Sequence, residues 1–112
     1  MTMDFKRVKI VTFVPIASAD KVRQAIGEAG GGQIGEYSFC SYTVTGKGRF
    51  KPSDKANPHI GIANQLETVE EERIEFICDR EQAKAIIAAI KQAHPYEEVA
   101  FDIYPLITEE EL

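Results

Sequence analysis

The sequence has no tryptophan, only two histidines and only two cysteines among 112 residues. Each scarcity excludes some chemistry. Cys40 and Cys78 can build neither a disulfide framework nor a four-thiolate zinc site, and neither belongs to a CxxC pair. Both are expected to pack as small buried apolar groups. His59 and His94 cannot give a metal three imidazole ligands unless several chains contribute. No apolar run approaches the roughly 20 residues of a membrane-spanning helix. Lys6, Arg7 and Lys9 precede an apolar segment, but Pro15 breaks it early, so no signal peptide is expected. The net charge is −5, and Glu109, Glu110 and Glu111 supply three of the negative charges, so the body has no surplus of positive charge for nucleic acid.

What is present is the composition of an ordinary soluble domain, with 44% apolar and 28% charged residues. A mass of 12.5 kDa fits one domain, read as residues 1–107, followed by an acidic tail at 108–112 that is expected to fray. Surface scaling predicts roughly 6,200 Å² exposed when folded, against about 18,000 Å² unfolded. That leaves enough buried area for a core without staples.

Phe5–Val14 reads FKRVKIVTFV, in which Val8, Ile10, Thr12 and Val14 alternate with Lys9, Val11 and Phe13, predicting a strand that ends at Pro15. Ser18 is a plausible cap for a helix carrying Val22, Ala25, Ile26 and Ala29 at helical spacing, stopped by Gly30, Gly31 and Gly32. Glu36–Thr45, EYSFCSYTVT, predicts a second strand loosened at its end by Gly46 and Gly48. Lys51 to about Leu66 shows no periodicity and reads as a long connection, a kind of loop that is often functional. Glu67–Cys78 predicts a third strand with Ile74, Phe76 and Cys78 on one face and a charged opposite face. Asp79 then caps a helix over Arg80–Ala93 with an Ala83, Ile86, Ile87, Ile90 stripe. Val99–Leu106 alternates as a fourth strand.

The order β-α-β-β-α-β predicts an α+β, ferredoxin-like sandwich with both helices on one sheet face. Phe13, Tyr37, Ile77, Ala100 and Tyr104 give the other face apolar character, as a subunit contact would have.

Three segments could carry chemistry. His94-Pro95-Tyr96-Glu97-Glu98 reads either as a rigid corner after the second helix, with His94 capping carbonyls, or as a divalent-metal ligand cluster for zinc or copper. The metal reading draws on His94, Glu97 and Glu98, with help from Glu71 or Glu75 of the third strand or from a neighbouring chain. Glu71, Arg73 and Glu75 share a sheet face and read as a solvated row or as an interface element. Gly46-Lys47-Gly48-Arg49-Phe50-Lys51 offers glycine-rich backbone with three cations, able to hold a small anion, yet it lacks the P-loop spacing and reads equally as a basic hairpin end. His59 shows no partner, no serine lies in a nucleophile elbow, and neither cysteine adjoins a histidine, so no catalytic residue is predicted.

Taken together, GEYSFCSYTVTGKGRFKP, NPHIG, LETVEEERIEF and HPYEEVAFDIYPL resemble the inserted, YqfO-type domain of the Nif-three-like family (NGG-one-interacting factor three). That domain is similar in fold to CutA, whose HPYE motif His94, Pro95, Tyr96 and Glu97 match, and more distantly to PII proteins. The resemblance implies a CutA/PII-like trimer, and the loop corresponding to residues 46–51 bears ligand contacts in PII-like proteins. The metal-dependent lobes of longer family members have no counterpart in these 112 residues. The expected function is a cytoplasmic, non-enzymatic, homotrimeric binding module for a divalent metal ion or small anion. The alternative is a metal-dependent hydrolase or a detached subunit that docks on a larger protein.

Overall fold

In the computed structural model, which describes residues 4–112, strand β1 (Arg7–Pro15) runs straight into helix α1 (Ile16–Glu28). Next come β2 (Tyr42–Phe50), β3 (Glu67–Asp79), α2 (Ala83–Ala93) and β4 (Phe101–Leu106). The four strands form one antiparallel sheet in the order β2-β3-β1-β4. Both helices lie on one face. The fold is therefore the expected α+β, ferredoxin-like one, with β3 inserted between β1 and β2.

The core lies between that face and the helices. Val8, Ile10 and Val14 of β1 meet Ile74, Phe76 and Cys78 of β3 beneath Val22 and Ile26 of α1 and Ile86 and Ile90 of α2. Ile10, Ile74, Ile86 and Ile90 are fully buried. Truncating one of them to alanine removes buried methyl groups and leaves a cavity, at a cost of about 2–5 kcal/mol. Arg23 of α1 clamps the helix to the sheet by donating to Glu72 on β3 and to Thr43 Oγ1 on β2.

Several local expectations are corrected. The α1 cap is Pro15, not Ser18, because the fixed proline φ lets the chain pass from strand to helix without a side-chain cap, and Ser18 falls in the first turn. Glu36–Ser41 is not strand. Ile34 and Tyr37 exchange backbone hydrogen bonds in a tight turn, Phe39 adopts a φ of 59°, and the Phe39 ring lies against Gly27, where α1 has no side chain. Tyr37 therefore lies off the sheet, and Cys40 is part-exposed outside any strand, whereas Cys78 is buried as expected. β2 begins at Tyr42 and continues through both glycines to Phe50. Asp79 does not cap a helix through its side chain, because its carboxylate is held by Arg7 at 2.7 Å. The acidic end forms a turn over Glu109–Glu111, closed by a Thr108 to Glu111 hydrogen bond of 2.9 Å.

Candidate ligand cleft

The register of β2 on β3 decides the site. Val44 faces Arg73 and Gly46 faces Glu71, while Phe13 of β1 meets Arg73 from the other side. Paired residues point the same way, so Val44, Gly46, Glu71, Arg73 and Phe13 share the sheet face that no helix covers. The residue 51–66 connection folds back over this floor. Asn64 N–H donates to the Pro52 carbonyl at 2.7 Å, and Gly61, at a φ of 105°, lets the loop close on Phe50 and Pro52.

The third wall is the corner after α2. The His94 N–H closes the helix on the Ile90 carbonyl at 2.9 Å. Its Nε2 donates to the Phe13 carbonyl at 2.6 Å, and its Nδ1 accepts the Tyr96 N–H at 3.1 Å. These partners assign the neutral tautomer with the proton on Nε2. Burial pushes the imidazole pKa below its ordinary value, and the Phe13 carbonyl and nearby Glu71 oppose that only in part. Both ring nitrogens are spent on the protein, which is the rigid-corner arrangement.

Tyr96 reaches from this corner to the sheet and donates its hydroxyl to Glu71 Oε2 at 3.1 Å. Burial, then the Glu71 charge, push the phenol pKa upward, so it remains a donor. Its ring packs edge-on to Phe50 at 5.8 Å and near His59 at 6.4 Å. Glu97 Oε1 accepts the Asn57 N–H at 2.7 Å and pins the connection to the corner. Floor, connection and corner enclose a cleft of about 770 Å³.

Of the residues proposed for a metal, Glu71, Glu97 and Glu98 border this cleft, while His94 lies behind it and Glu75 lies outside, paired with Lys9 at 3.6 Å and Arg73 at 3.4 Å. The five are not gathered, and among the described residues no group of three His, Cys, Asp or Glu side chains is placed to hold a metal ion. Of those proposed for an anion, Gly46, Lys47, Gly48 and Arg49 are strand residues rather than a flexible loop. In the register Lys47 pairs with Glu70 and Arg49 with Thr68, and both residues border the cleft together with Lys51 and Arg73. What sequence reasoning missed is that the two motifs meet. Tyr96, Phe50, Val44 and Phe13 join them, and the signal was a Gly-x-Gly pair in a strand opposite a glutamate.

Comparison with known proteins gives the chain relatives. No family model matches it. It is 48% identical over 103 residues to the GTP cyclohydrolase 1 type 2 homolog of Halalkalibacterium halodurans, covering 92% of this chain and 28% of that protein. The crystal structure of the Bacillus cereus protein related to NIF3 superimposes with a TM-score of 0.82 at 44% identity, over 96% of this chain and 27% of that one. CutA1 from Shewanella sp. SIB1 superimposes with a TM-score of 0.69 at 18% identity, over 95% of this chain and 86% of that one, a likeness of fold. The chain spans just over a quarter of the length of these Nif-three-related proteins. It is homologous to one segment of the proteins named GTP cyclohydrolase 1 type 2 homolog, within the Nif-three-related family, and it folds as CutA does.

Proposed function

We propose that the chain is a non-enzymatic, oligomeric ligand-binding module of the CutA/PII type, working in the cytoplasm as a homotrimer, with its ligand in the cleft between β2 and the His94–Glu98 corner. The observation that carries this reading is the convergence of two segments far apart in sequence, 44–60 and 94–100, on one walled cleft of about 770 Å³. That volume suits an organic molecule better than a bare zinc or copper ion or a small inorganic anion, since small-molecule sites run from about 300 to 1,000 Å³. His94 also has no free nitrogen for a metal. Neither cysteine borders the cleft, so a thiol nucleophile has no place there.

Assembly is supported by shape. The accessible surface is 7742 Å², about a quarter above the roughly 6,200 Å² that size alone implies. The radius of gyration is 15.5 Å, against about 13 Å for a compact chain of this length. Ile77 and Tyr104 lie on the uncovered face, and among the described residues both outer strands, β2 and β4, are paired along one edge only. Sedimentation velocity at tens of micromolar is expected to give a trimer; a strict monomer overturns the assembly. Alignment to one segment of longer relatives supports a second reading, in which the module serves as an accessory part of a larger Nif-three-related protein, tested by co-purification with such a partner.

A further inference from the structure

We propose that the cleft selects an organic cation, a primary ammonium or guanidinium group on an apolar or aromatic body, and that Glu71 is the residue that receives it. This rests on the cleft being the ligand site.

Glu71 is 8% exposed, in the middle of β3. Its Oε2 accepts one hydrogen bond, from Tyr96, and among the described residues the carboxylate forms no ion pair. Arg73, two residues along the same face, turns instead to Glu75 at 3.4 Å. A carboxylate withdrawn from water is costly unless a cation or several donors face it. Here one oxygen has a neutral phenol and the other, Oε1, lies over the bare backbone of Gly48, where a Cβ would collide with it. The glycine thus makes the seat in which the carboxylate rests beside the cleft, where a positively charged donor can reach Oε1.

The aromatic residues beside Glu71 suit the same ligand. Glu97 and Glu98 also border the cleft, as do Lys47, Arg49, Lys51 and Arg73, but Glu97 is engaged by the Asn57 N–H and Arg73 by Glu75, so Glu71 is the buried carboxylate that faces the cleft without a cation of its own. The Tyr96 and Phe50 rings, 5.8 Å apart, form an aromatic wall beside Glu71, and ring faces attract desolvated cations. Val44 and Phe13 supply an apolar floor for the rest of the molecule.

The test uses three probes of one shape and different charge, benzylammonium, benzyl alcohol and phenylacetate, titrated into the isotope-labelled full chain while amide shifts are followed. Benzylammonium is expected to move the Val44, Gly48 and Tyr96 amides and to bind about tenfold or more tightly than the alcohol, as a charge-assisted hydrogen bond implies. Glu71→Gln keeps the shape and the Tyr96 bond and is expected to remove that advantage, whereas Glu70→Gln, on the opposite face, leaves it intact. Thermal melting of each variant separates lost binding from lost folding, and Tyr96→Phe, which keeps the ring and leaves Glu71 charged, is expected to retain the preference for the cation. If phenylacetate moves the cleft amides as strongly as benzylammonium, or Glu71→Gln binds the cation unchanged, this inference is overturned while the cleft stands as a ligand site. If no probe moves those amides, both the inference and the cleft as a ligand site are overturned.

Discussion

The Tyr96 hydroxyl donates to Glu71 Oε2 at 3.1 Å, joining the corner after α2 to the middle of β3. Through this bond the corner motif and the glycine pair of β2 become parts of one structure, because the same carboxylate lies over Gly48. Gly48→Ala is expected to push the carboxylate off its seat, its Cβ falling 2.6 Å from Glu71 Cδ, and to lose the Tyr96 bond for about 0.5–1.5 kcal/mol. Gly46→Ala meets nothing within 4 Å and is expected to be neutral or slightly stabilising. Urea unfolding of the two variants side by side checks the contrast.

Gly27→Ala would stabilise an unencumbered helix by about 1 kcal/mol. In α1 the new Cβ would fall 2.6 Å from Phe39 Cγ, inside the ring's van der Waals shell. The variant is expected to lose about 1–3 kcal/mol, the usual cost of overpacking. Adding Phe39→Ala to Gly27→Ala is expected to cost less than the two single losses together, because the clash is gone, and a double-mutant cycle measures that.

Arg23 is held by Glu72 and Asp20, which raise its pKa against the opposing effect of burial. Removing it leaves Glu72, with a side chain only 17% exposed, without its cation. Arg23→Met is expected to cost about 1–3 kcal/mol, more than Arg73→Met, whose side chain is 45% exposed. Denaturation midpoints at low and moderate salt distinguish the two.

His94 makes stability depend on pH with a definite sign. Its folded pKa lies below the ordinary value of 6.5, so near and below that pH the unfolded chain binds the extra proton more readily than the folded one. The contribution is fully present above about pH 6.5 and is lost as pH falls through the depressed folded value. His94→Gln, which keeps an N–H for the Phe13 carbonyl, is expected to be less stable at pH 7.5 yet to lose less than the parent between pH 7 and 5. Urea midpoints across that range test it; equal losses would mean that His94 does not titrate differently on folding.

Ile77 shares a row of the uncovered face with Lys9 and Tyr104. Ile77→Arg places a charge there without entering the helix-side core. The expected result is an unchanged circular dichroism spectrum with a shift from the proposed trimer to monomer in sedimentation. A trimer of unchanged strength would move the interface elsewhere.

The elements best read from sequence are those with clean periodicity. β1, β3 and α2 each bury one regular row, Val8, Ile10 and Val14, then Ile74, Phe76 and Cys78, then Ile86 and Ile90, and their spacing alone placed them. β2 was misplaced toward Glu36 because the segment that pairs with β3 contains Gly46, Lys47, Gly48 and Arg49, residues of low strand propensity held by tertiary pairing, while aromatic Tyr37 and Phe39 outside it have high propensity. The site was legible only as separate pieces. That Glu71 and Tyr96 touch depends on register and on a corner angle, neither of which is written in local spacing. That His94 spends its Nε2 on a backbone carbonyl 81 positions away, at Phe13, was hidden for a related reason.

Gly48 and Glu71 are also coupled through space. A side chain at position 48 displaces the Glu71 carboxylate from its present place, because the atoms it meets are the flexible end of that side chain. Position 48, which has no functional group of its own, therefore sets where the charge beside the cleft stands, and a change there is felt at a residue 23 positions further along the chain.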